Sequence, residues 1–169
     1  MDAERGVFDV LFLCTHNSAR SIMAEAILNN LAVSKGRFRA FSAGSQPSGT
    51  PNLFALECIQ RAGLPTEGLR SKDWSEFAKP DAPRLHFVFT LCDDAAKESC
   101  PVWPGQPMTA HWGLPDPSMV EGSDEQKREA FSATFRHLST RINLFVSLPM
   151  HKLDRLSLQE KLDKIGTTK

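Results

Sequence analysis

The chain has 169 residues, with 20 basic and 20 acidic side chains and a formal net charge of zero. That length predicts one domain with a core of its own, and the balanced charge argues against nucleic acid or an acidic membrane surface as a partner. The opening residues, MDAERGVF, are short and polar, no apolar run approaches spanning length, and four cysteines without a close CxxC pair argue against a zinc module. They read as cytosolic thiols, so a cytoplasmic location is expected.

Val7 to Leu13 is a near-continuous apolar run, the pattern of a strand buried on both faces. It turns through Cys14-Thr15-His16-Asn17-Ser18-Ala19-Arg20-Ser21 into a helix with Ile22, Ala26, Ile27 and Leu31 on one stripe. Phe38 to Ser42 alternates as a second strand, closed by Ala43-Gly44. Thr50 and Pro51 read as N-cap and first residue of a second helix, Asn52 to Arg61, ended by Gly63. Cys58 lies in that helix as a packed core thiol. Ser71 reads as the N-cap of a short third helix, with Glu76 near its first turn. Leu85 to Leu91 is the next apolar strand. Asp93 to Lys97 is a marginal helical turn in the plastic segment from Cys92 to Pro107. Asp116 stands between Pro115 and Pro117 on a rigid, presented loop. Ser123 and Gln126 form a capping box for the longest helix, Asp124 to Val146, with Phe131, Phe135, Leu138, Ile142 and Phe145 as its core stripe. Beyond Pro149, Leu158, Leu162 and Ile165 recur at helical spacing. The expected organisation is therefore a main domain, 1–148, and a C-terminal helical extension, 149–169, either docked or an association surface.

The loop from Cys14 to Ser21 carries the chemistry. A loop feeding a helix N-terminus points backbone N–H groups and positive potential at one spot, where a tetrahedral oxyanion fits. Arg20 adds a bidentate fork. The same field is expected to lower the pKa of Cys14 and make it a thiolate nucleophile, with Ser21 donating to the sulfur. Thr15, His16, Asn17, Ser18, Ala19, Arg20 and Ser21 are thus the expected oxyanion-binding residues. In an α/β sheet, ligands bind at the carboxyl ends of the strands. Cys14 and Cys92 both fall at such ends, so their proximity is expected. Cys92 and Cys100 are joined by few residues, and closing such a loop costs little.

Cys14 to Ser21 resembles the phosphate loop of the low-molecular-weight tyrosine phosphatase superfamily, Cys-x5-Arg-Ser. From about Phe8 to Phe145 the chain resembles the arsenate reductases built on that fold, of the thioredoxin-linked type. The resemblance implies a single three-layer α/β domain, with a central parallel four-stranded sheet and helices on both faces. It implies that Asp116, in Asp-Pro after the last strand, is the general acid. Cys92 and Cys100 match the two resolving thiols, with a spacing one residue longer than the familiar pattern. His111-Trp112-Gly113 matches a run common in the reductases and reads as scaffold. Asn17, Glu25, Ser42, Ser71 and Asp73 match positions that bind potassium in some of these reductases, the other reading being ordinary loop and capping hydrogen bonds. No tightly bound cofactor and no catalytic metal is implied.

Three functions compete. One is arsenate reduction: Cys14 attacks arsenate, Cys92 takes the disulfide, Cys100 passes it outward, and thioredoxin or a glutathione/glutaredoxin system restores the thiols. The second is hydrolysis of phosphotyrosine or small phosphoesters. The third is a passive oxyanion-binding or redox-sensing module. The phosphatases carry aromatic residues, often tyrosines, after Asp-Pro; this chain has no tyrosine, and Ser118-Met119 follow Pro117. A passive site needs no nucleophile, acid and two further thiols together. Arsenate reduction is the expected activity.

Overall fold

The computed structural model describes residues 6–92, 103 and 105–168. Among the described residues the strands and α-helices follow in the order β1 (Phe8–Leu13), α1 (Arg20–Asn29), β2 (Phe38–Ala43), α2 (Leu53–Arg61), β3 (Phe87–Thr90), β4 (Met108–His111), α3 (Asp124–Val146) and α4 (Arg155–Ile165). The strands form one parallel sheet in the order β2-β1-β3-β4. The chain crosses from β1 to β2 on one side and reaches β3 on the other. The carboxyl ends of β1 and β3, which lead into Cys14 and Cys92, are therefore adjacent in the sheet at the point where the strand order reverses.

Strand β1 lies inside the sheet and every one of its residues is buried, which is why it reads as an apolar run broken only by Asp9, itself paired with Arg39. Its alternate side chains feed two clusters. Phe8, Val10 and Phe12 face the larger one, with Ile22, Met23 and Ile27 of α1, Ile59 of α2, Phe131, Leu138, Ile142 and Phe145 of α3, and Leu158, Leu162 and Ile165 of α4. Leu11 and Leu13 face the other way, against Phe77, Val88 and Trp103. The described cover on that face includes a 3-10 turn, Trp74–Phe77. The α4 helix beyond residue 149 is docked: Leu158, Leu162 and Ile165 belong to the main cluster, and Leu156 is exposed. Gly166 lies so close that a Cβ there would stand 2.4 Å from the His111 carbonyl oxygen.

Some boundaries differ from the sequence reading. The N-cap of α2 is Asn52, not Thr50; its side chain accepts from the N–H groups of Phe54 and Ala55. The short 3-10 turn is capped by Asp73, not Ser71, through the Ser75 N–H. The α1 helix stops at Asn29, short of Leu31, because the Asn30 side chain bonds back to the Ala26 carbonyl and competes with the helix ladder. The capping box on α3 is present as expected, with Ser123 and Gln126 each accepting from the other's backbone N–H. The expected turn at Asp93 to Lys97 lies outside the described residues. Among the described residues no helix is long and apolar enough to cross a membrane.

Candidate functional site

The loop between β1 and α1 is held from outside by its carbonyls. Thr15 O accepts from Gln46 N–H at 2.9 Å, His16 O from Ser48 N–H at 3.0 Å and Ser18 O from Asn52 N–H at 2.8 Å. Because each peptide is planar and trans, an outward carbonyl sends the next residue's N–H inward. The amides of His16, Asn17 and Ala19 thus turn toward the inside of the loop. The α1 N-terminus adds its own unbonded N–H groups, since no side chain caps it and no acidic residue sits in its first turn. Asn17 adopts φ +46°, a left-handed conformation that asparagine tolerates. It is fixed on both sides: its Nδ2 donates to Ser21 Oγ at 2.8 Å and its Oδ1 accepts from Lys72 N–H at 2.9 Å.

Gly44 makes the loop's position achievable. A Cβ at this position would stand 2.4 Å from Thr15 O, 2.5 Å from Cys14 O and 3.0 Å from Asn17 N. Only a residue without a side chain fits where the end of β2 meets the loop. The sequence reading treated Gly44 as a strand terminator; its place directly after a buried strand was the available signal.

Arg20 is 8% exposed. One guanidinium nitrogen donates to Leu114 O at 2.8 Å, and the other stands 3.5 Å from Asp116 Oδ2. Its Nε is buried and has no hydrogen-bond partner among the described residues. A buried guanidinium N–H without an acceptor is costly, and an oxyanion oxygen in the loop is the acceptor that geometry calls for. Asp116 caps a second 3-10 turn, Pro117–Met119, with Oδ1 accepting from Ser118 N–H at 2.9 Å and Ser118 Oγ at 2.7 Å. It is at once a turn former and a carboxylate whose other oxygen faces Arg20.

Cys14 and Cys92 are both buried and lie against each other. Thr15 holds Cys92 in place: its N–H stands 3.3 Å and its hydroxyl 3.4 Å from Cys92 Sγ. The expectation of a lowered pKa at Cys14 is not met in this arrangement. The thiol is pushed well above its usual range, first by its hydrogen bond with Cys92, then by burial, and the Arg20 charge does not outweigh them. Cys100 lies outside the described residues. Cys58 is half-buried on α2, with its Sγ 3.8 Å from Phe131 O, as a packed thiol should be.

The remaining parts are scaffold. Trp112 is fully buried, stacks on Phe89 at 3.8 Å and donates through Nε1 to Leu162 O at 3.0 Å. His111 Nδ1 is 2.8 Å from Thr90 Oγ1. Arg141 of α3 was missed by the sequence reading. It is buried and donates to Trp112 O at 2.8 Å and Gly113 O at 3.2 Å, bracing the segment that leads to Asp116. An arginine one place from Ile142 on a core stripe was the signal.

The five residues expected around a cation are tied to protein groups by hydrogen bonds. Glu25 Oε1 accepts from Ser42 Oγ at 2.5 Å, Asn17 binds Lys72 N–H, and Ser71 Oγ donates to His16 O at 3.2 Å. Asp73 is a cap. The Lys72 ammonium stands among them, donating to Ser42 O at 2.7 Å and Arg70 O at 2.9 Å, with Glu25 Oε1 at 3.8 Å. Among the described residues no cluster of three or more His, Cys, Asp or Glu is placed to hold a metal ion.

The sequence pattern of the low molecular weight phosphotyrosine protein phosphatases matches residues 9–159. The chain belongs to that family. The arsenate reductase of Bacillus licheniformis is 35% identical over 140 residues, covering 80% of this chain and 93% of that protein. A family named for its phosphatase activity, with relatives named as arsenate reductases at this identity, makes the chain an enzyme of that family. A solved arsenate reductase in the phosphate binding state superimposes with TM-score 0.63 at 24% identity, over 83% of this chain and 97% of the other. The thioredoxin-dependent arsenate reductase of Corynebacterium glutamicum gives TM-score 0.54 at 24% identity, over 84% of this chain and 65% of the other. At these identities the structural likeness is one of fold, and it places the four-stranded parallel sheet in the phosphatase-like class.

Proposed function

We propose that the chain reduces arsenate to arsenite through a relay of its own cysteines. The observation that carries this reading is the contact of two buried thiols, Cys14 and Cys92, near a buried Arg20 whose charge acts on Cys14 and whose Nε lacks a partner among the described residues. Ester hydrolysis has no use for the second thiol.

Arsenate enters the loop, bound by the inward amides and by Arg20. Cys14 attacks arsenic as a thiolate, and an arsenic-bound oxygen leaves as water, protonated by Asp116. The hydrogen bond from Cys92 and burial both favour the protonated Cys14, so withdrawal of Cys92 from Cys14 favours the thiolate. Cys92 then attacks Cys14 Sγ. The new S–S bond forms as the S–As bond breaks, and its electron pair stays on arsenic. Arsenic goes from the pentavalent to the trivalent state while two thiols are oxidised. Arsenite leaves, and Cys100 attacks Cys92 to carry the disulfide outward. The likeness to a reductase named as thioredoxin-dependent supports thioredoxin as the reductant; the cysteine usage suits a cytoplasmic enzyme.

Cys92→Ser tests the relay. It should keep hydrolysis of a chromogenic phosphate ester and lose multiple-turnover arsenate reduction. Cys100→Ser should trap the Cys14–Cys92 disulfide, seen by peptide mass spectrometry after one addition of arsenate. If both variants reduce arsenate like the parent with thioredoxin and with glutathione, the relay is wrong. Cys14 would then be cleared by an external thiol.

A further inference from the structure

We propose that the ammonium of Lys72 does the work of a bound monovalent cation, and that this internal charge sets the anion loop without added potassium. Lys72 is 8% exposed, rare for a lysine. Its Nζ is surrounded as a small cation would be: two backbone carbonyls, Ser42 O at 2.7 Å and Arg70 O at 2.9 Å, and one carboxylate oxygen, Glu25 Oε1 at 3.8 Å. The carboxylate supplies one negative charge and the ammonium one positive charge, so the enclosure is neutral with no further ion. Burial pulls the lysine toward its neutral form and pushes Glu25 toward its own, and each opposes that pull on the other. The pair stands on its geometry: neither charge is tolerable there alone.

The position of Lys72 ties this enclosure to the reaction site. The main chain of the same residue meets the loop: its N–H donates to Asn17 Oδ1 at 2.9 Å, and its carbonyl accepts from Gly44 N–H at 2.9 Å. Asn17 is the left-handed residue of the loop and carries Ser21 Oγ on its Nδ2. Gly44 is the residue against which Cys14 O and Thr15 O rest. The ammonium therefore pins residues 70–72 to the end of β2 and to α1, and the pinned backbone holds Asn17 and Gly44. Lys72 is a positioning residue; it touches no substrate.

The test compares the parent with Lys72→Ala in choline, sodium and potassium chloride at equal ionic strength. Two readouts serve: the melting temperature, and the affinity for inorganic phosphate measured by its protection of Cys14 from iodoacetamide. Neither involves arsenate turnover, so the result stands apart from the assignment of the reaction. The parent should melt within about 1 °C in all three salts, its cation site being filled from within. In choline, Lys72→Ala should melt on the order of 5–10 °C lower, since a buried carboxylate has lost its partner. Its phosphate affinity should fall about tenfold as the loop loosens. Potassium should restore most of both losses saturably. A variant equal to the parent in every salt, or a deficit that no cation repairs, overturns the proposal. So does a parent that potassium itself stabilises saturably. Where Lys72→Ala does not fold in any salt, Lys72→Gln replaces it, and the parent's salt series still decides.

Discussion

A methyl group at Gly44 tests whether the loop is fixed by its floor. The Cβ of Gly44→Ala would stand 2.4 Å from Thr15 O and 2.5 Å from Cys14 O, where ordinary contact begins at 3.4 Å. The shortfall is about 1 Å at two carbonyls, and both belong to the backbone, so no side chain can swing aside. Gly44 itself cannot retreat easily, because its N–H is bonded to Lys72 O and its carbonyl to Trp74 N–H, both at 2.9 Å. The loop must move. Overpacking of this kind costs about 1–3 kcal/mol of stability. A displacement of about 1 Å at a reacting group costs on the order of a hundredfold in rate. Urea unfolding and steady-state turnover of arsenate and of a chromogenic phosphate ester measure the two effects. Both substrates should suffer alike, because the loop holds either oxyanion. A variant within about threefold of the parent in kcat/KM on both, at unchanged stability, would refute the idea that Gly44 is the floor of the site.

Arg20→Lys should lower kcat/KM on both substrates by about a hundredfold or more, because one ammonium cannot keep Leu114 O and also present a fork to the anion; steady-state kinetics check it. Asp116→Asn should slow both reactions by on the order of a hundredfold while phosphate still protects Cys14 from alkylation. Loss of folding in that variant would instead support the turn-former role of Asp116. The alkaline limb of stability should depend on Cys14. Its folded pKa is raised above the ordinary 9.0, so the fold keeps a proton that the unfolded chain sheds. Stability is then complete below pH 9.0 and declines above it by about 1.4 kcal/mol per pH unit. Cys14→Ser should remove that share of the slope in urea melts between pH 8 and pH 10, and an unchanged slope would refute the assignment.

The parts legible in the sequence were those in which local pattern and long-range packing agree. An apolar run followed by a polar loop and an apolar stripe made β1, the Cys14 loop and α1 readable. The Ser123–Gln126 box marked α3 because both partners lie within one turn. The meeting of Cys14 and Cys92 was legible because both follow the carboxyl ends of parallel strands, which prove to be neighbours in the sheet. The misses have a common cause in distant contacts. Asn52 rather than Thr50 caps α2, and the same Asn52 is tied by its N–H to Ser18 O, 34 positions earlier in the chain. Nothing in the residues around Lys72 marks it for burial; the end of β2 and Glu25 of α1 close around its ammonium from a distance in the chain.

The ionisation of Cys14 was misread for a related reason. The Arg20 charge is a local feature and lowers the pKa, whereas Cys92 arrives from 78 positions away and raises it. In the proposed relay this opposition has a consequence. While Cys92 rests against Cys14 and holds the Thr15 N–H, the nucleophile is protonated and one loop amide is already engaged. Withdrawal of Cys92 releases both together, so ionisation of the nucleophile is coupled to completion of the anion cradle. The resolving thiol returns only after the adduct has formed, when a polarised Cys14 sulfur makes its attack productive. Cys92→Ala should therefore alkylate at Cys14 faster than the parent at neutral pH, in the absence of any oxyanion. A parent and variant with the same alkylation profile across pH 6–10 would show that Cys92 does not restrain the nucleophile.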